Sequence, residues 1–106
     1  MGRTIHYQTQ EIISREEYEL LLRIVDKCNK SGKWSRERLK LWRNHEAPKP
    51  GAGWGFTKVG NEAEAKLVVN AVKEMSAAIP RLTWVLFDEG EPSKGKMIIK
   101  NGKFHR

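Results

Sequence analysis

Basic and aromatic side chains interleave in one stretch of this chain: Lys33, Trp34, Arg36, Arg38, Lys40, Trp42 and Arg43. Rings stack on bases, and ammonium and guanidinium groups neutralise phosphates. The mixture therefore suits a single-stranded nucleic acid or an acidic protein surface. A second basic run, Lys94, Lys96, Lys100, Lys103 and Arg106, contains no acid. The net charge of +7 is unevenly spread: residues 33–49 carry +4, residues 94–106 carry +5 and residues 82–93 carry −3. Clustered positive charge of this kind points to an acidic partner.

Other chemistries have weaker support. Asp88, Glu89 and Glu91 follow an apolar run and could bind a divalent cation, but they lack the spacing of a calcium loop. A solvated turn with Gly90 at positive φ is the better reading. His6, His45 and His105 are far apart and form no metal-ligand pattern, so they read as polar surface. Cys28 is the only cysteine, which excludes an intramolecular disulfide. It falls on a buried helical stripe, where a thiol is inert. No nucleotide-binding glycine loop or nucleophile elbow is present, no cofactor is implied, and catalysis is the least supported class.

The elements that must position these residues follow from periodicity. The 106 residues suit one domain spanning 1–106. Residues 3–8 read as a strand. Ser14-Arg-Glu-Glu17 is a capping box that opens a helix to Lys30, with Tyr18, Leu21, Leu22, Val25 and Cys28 as its apolar stripe. Residues 37–43 alternate as an edge strand, with Leu39 and Leu41 facing the core. Residues 44–53, with two prolines and two glycines, read as a recognition loop. Residues 54–59 form the next strand. Asn61 caps a second helix over 62–78, with Leu67, Val68, Ala71, Val72, Met75 and Ile79 on its apolar side. Residues 82–87 suit an interior strand and residues 96–100 a further one. Asn101-Gly102 is a hairpin signal before a short last strand or tail. The predicted fold is α+β: a two-layer βαββαββ sandwich with a ferredoxin-like antiparallel sheet and both helices on one face. The second and fifth strands should then occupy opposite edges.

Within this order, Gly53-Trp-Gly-Phe-Thr-Lys-Val59 resembles the RNP1 octamer of RNA-recognition motifs. It departs from that pattern at Ala52, Thr57 and Val59. The resemblance implies that Trp54 and Phe56 lie on an open sheet face and stack on bases. The ordinary burial of large aromatics favours the opposite, with both rings turned to the helices and Trp84 beside them in the core. The expected binding residues are Lys40, Trp42, Arg43, Trp54, Phe56, Lys58, Lys96, Lys100 and Lys103. The expected function is a small, basic, non-catalytic domain that binds RNA or single-stranded DNA. The alternative is a protein-interaction module of regulatory or immunity-like type. Either fits a cytoplasmic monomer or homodimer without a membrane partner.

Overall fold

The structure, a computed structural model, describes residues 3–44 and 51–105. Ser14 caps the first helix, α1 (Arg15–Ser31). Its hydroxyl accepts from the Glu17 amide at 3.1 Å, and the Glu17 carboxylate accepts from the Ser14 amide at 2.8 Å. Asn61 starts the second helix, α2 (Glu62–Ala78), by accepting from the Glu64 amide at 2.9 Å. Each cap satisfies amides that the helix itself leaves without acceptors. Among the described residues, no helix is long and apolar enough to cross a membrane.

Six antiparallel strands form one sheet: β1 (Arg3–Ile12), β2 (Trp42–Arg43), β3 (Ala52–Val59), β4 (Thr83–Asp88), β5 (Lys96–Lys100) and β6 (Lys103–His105). Their order across the sheet is β2-β3-β1-β4-β5-β6. Ile5, Tyr7, Val59, Trp84, Leu86 and Ile99 point to one side and meet Leu21, Val25, Val68, Val72 and Met75 in a single core. Both helices therefore cover the same face. Burial of these side chains contributes on the order of 1.5–3 kcal/mol each for the larger aliphatics.

The strand pattern differs from the sequence expectation in three ways. Of the short last strand or tail expected after Asn101-Gly102, the strand forms: Asn101 (φ 53°) and Gly102 (φ 77°) make a two-residue turn into β6, a sixth strand beyond the five of the βαββαββ order. That strand, not the fifth, takes the far edge. The strand expected over 37–43 contracts to Trp42–Arg43. Upstream, side chains replace the ladder: Asn29 bonds both the amide and the carbonyl of Leu39, and the Tyr7 hydroxyl bonds both groups of Lys40. The backbone is satisfied without a neighbouring strand. Finally, β3 begins at Ala52, so Ala52 and Gly53 belong to the sheet rather than to the loop. Most of that expected loop, with His45 and Lys49, lies outside the described residues.

Candidate binding face

The geometry of β3 decides which way the aromatic residues point. Gly53, Gly55, Thr57 and Val59 are buried on the helix side, whereas Trp54, Phe56 and Lys58 point away from it. Small residues occupy the inner positions because Tyr7 lies over Gly55 and the Lys40 backbone passes beside it. The Tyr7 hydroxyl donates to the Lys40 carbonyl at 2.8 Å and lies 2.9 Å from the Thr57 hydroxyl. The inner volume is thus filled from β1 and from Trp84, which is fully buried. Burial in the core, the placement favoured for Trp54 and Phe56, is overturned: Trp54 is 38% exposed and Phe56 half-buried on the opposite face.

Neighbouring strands extend this face. Trp42 pairs with Trp54 in register, and their ring centroids lie 4.8 Å apart. Phe56 is 5.6 Å from Trp42 and 6.4 Å from Trp54. His6 is opposite both Phe56 and Phe87, at 6.1 and 6.5 Å between centroids. Directly opposed residues of antiparallel strands share a face. One continuous row therefore crosses the sheet from Trp42 and Trp54 through Phe56 and His6 to Phe87. Lys96, in register with Phe87, ends it. The spacings are those at which aromatic rings attract one another.

Cations surround the row unequally. The Lys40 ammonium lies 4.6 Å from the Phe56 ring centroid and 6.0 Å from that of Trp42. Glu37 holds it there at 3.1 Å. Lys58 and Lys96 are exposed beside the row, and Lys103 pairs with Lys100 at its far corner. Two expected cations have structural work as well. Arg43 Nε donates to the Ile13 carbonyl at 2.7 Å, and Lys100 Nζ donates to the Arg81 carbonyl and the Thr83 hydroxyl. Trp34, inside the basic stretch, is not on this face; it packs against the core and donates to the Cys28 carbonyl. His6 reads from the sequence as polar surface only, and Gln8 and Phe87 are not among the expected binding residues. The alternation of β1 already sets His6 and Gln8 on the face opposite Ile5 and Tyr7, whereas the unbroken apolar run at 82–87 conceals the alternation of β4.

No protein-family model, curated protein or solved structure matches this chain.

The remaining candidates resolve into structural roles. The acidic turn is organised by Arg3, whose guanidinium lies 2.8 Å from Glu62, 3.3 Å from Asp88 and 3.8 Å from Glu91. Gly90 does not adopt positive φ. It is glycine because a Cβ there would fall 2.3 Å from Arg3 Cδ. Glu89 leaves this cluster and lies 2.6 Å from His6 Nε2. Among the described residues, no three His, Cys, Asp or Glu side chains group to hold a metal ion. The Cys28 thiol is half-buried, and burial pushes it up to about 11, so it carries little thiolate at neutral pH.

Proposed function

We propose that this protein is a small, non-catalytic binding domain for single-stranded nucleic acid, RNA or DNA, engaged across the sheet face opposite the helices. The observation that carries this reading is the row Trp42–Trp54–Phe56–His6–Phe87 on a face that neither helix covers, flanked by Lys40, Lys58, Lys96 and Lys103. Stacking on such rings contributes about 1–3 kcal/mol per base and needs bases that are not already paired. The lysines offer the complementary charge for phosphates. A binding role is favoured over catalysis because the face assembles groups that stack and neutralise.

We also propose that β1 to β4 with the two helices form a ferredoxin-like arrangement, which β5 and β6 extend. Cytoplasm is the proposed setting, in keeping with one unpaired cysteine.

Filter binding of a labelled mixed-sequence oligonucleotide at low salt tests the function directly. Retention of RNA or single-stranded DNA, with quenching of tryptophan fluorescence, is expected. Absence of retention for both would overturn the reading. A stable complex with an acidic protein in its place would favour the protein-interaction alternative.

A further inference from the structure

The middle of the aromatic face is not apolar. β1 runs between β3 and β4, and its outward residues are Thr4, His6, Gln8 and Gln10. Gln8 is exposed, and its register partners are Trp54 on one side and Val85 on the other. Phe56 and Phe87 are its diagonal neighbours, within side-chain reach across the sheet. Several polar groups nearby are already engaged: His6 by Glu89, Lys40 by Glu37, and Lys100 by the Arg81 carbonyl and Thr83. The Gln8 side chain makes no hydrogen bond with any described residue. It is thus an uncommitted amide set among rings.

An amide presents one acceptor oxygen and two N–H donors side by side. That pair complements a base edge with an adjacent donor and acceptor. Every unpaired base has a donor beside an acceptor on its Watson–Crick edge, but adenine repeats the pair at N6 and N7 on its Hoogsteen edge, where guanine offers two acceptors and suits arginine or lysine. A purine also gives Trp54 the larger surface to stack on. Resting on the binding function proposed above, we propose that Gln8 selects the base bound beside Trp54 and gives this face a preference for adenine.

Fluorescence anisotropy with labelled octamers tests this: homopolymers of A, C and U or T, and a mixed G/U octamer, in ribo and deoxyribo series. The intact chain should bind the A octamer about tenfold more tightly than the others, the size of one good two-point base contact. Gln8→Ala should abolish that preference while leaving binding of the C and U octamers within about twofold. Gln8→Met, which keeps the side-chain length, should do the same. Trp54→Ala should weaken all octamers together. The preference should appear in both series, because the amide reads the base and not the sugar.

Binding without a base preference would overturn the role of Gln8 and leave the binding function standing. So would a preference that survives Gln8→Ala, or one confined to a single series. Failure of every octamer to bind would overturn both.

Discussion

A Cβ on Gly55 would lie 2.1 Å from the Lys40 carbonyl oxygen and 2.6 Å from Tyr7 Cε2. Neither atom can move cheaply, since one is backbone and the other is a ring pinned by its hydroxyl to Lys40 and Thr57. Gly55→Ala gains at most about 1 kcal/mol from restricting the unfolded chain. Overpacking costs about 3 kcal/mol, so the substitution should destabilise. Urea denaturation should show a lowered midpoint with an unchanged slope. The same residue sets the site, because a larger side chain at 55 would push β3 away from Tyr7 and tilt Trp54 and Phe56 out of their row. Trp54 itself tolerates change better. Its ring is part-exposed, so Trp54→Ala should reduce oligonucleotide affinity by about tenfold or more through lost stacking. Circular dichroism should show the fold retained.

At the scale of elements, the helices act as scaffold and the sheet as platform. Both halves of the Ser14–Glu17 capping box are formed. Ser14→Ala removes one of them and should cost about 1 kcal/mol, readable as a lower thermal midpoint. Oligonucleotide affinity should stay unchanged below that midpoint, since α1 lies on the covered face. Glu64 ties α2 to the incoming chain. Its buried carboxylate accepts from the Ser35 hydroxyl, from the Ser35 amide at 3.1 Å and from the Gly60 amide at 3.2 Å. The Ser35 hydroxyl, against the opposing effect of burial, is the largest influence holding this carboxyl below the ordinary glutamate value of 4.5. Glu17, held chiefly by Arg81, is lowered as well. A carboxyl that binds its proton more weakly when folded stabilises the fold above the unfolded value, and that contribution is lost as pH falls through the folded value. Stability should therefore be level above about pH 5 and decline below 4.5, and Glu64→Gln should flatten that decline. Denaturant midpoints measured from pH 7 to pH 3 would show it.

For the whole molecule, the charge of +7 becomes useful only through its placement. If Lys40, Lys58, Lys96 and Lys103 each meet a phosphate, log K against log salt should fall with a slope of about −3 for a single strand. Lys58→Ala and Lys96→Ala should each reduce the slope by about 0.7 and weaken all sequences alike. A slope near zero in the intact chain would argue against phosphate contact.

Local signals decided the parts of this molecule that depend on a few adjacent residues. The caps at Ser14 and Asn61, the two helical stripes, the interior strand around Trp84 and the Asn101-Gly102 turn were all legible, because each rests on bonding or packing within one element. Of the expected binding residues, Lys40, Trp42, Trp54 and Phe56 do converge, with Lys58 beside them and Lys96 at the far end of the row. What stayed illegible was the direction in which Trp54 and Phe56 point. A strand offers two faces, and the sequence of β3 alternates large with small without saying which set meets the helices. Tertiary structure decided it. Tyr7 and Trp84 fill the inner layer from other strands, and the Lys40 backbone passes close to Gly55, so only glycine, threonine and valine fit inside on β3. The rings are left on the open face by exclusion from a core already full.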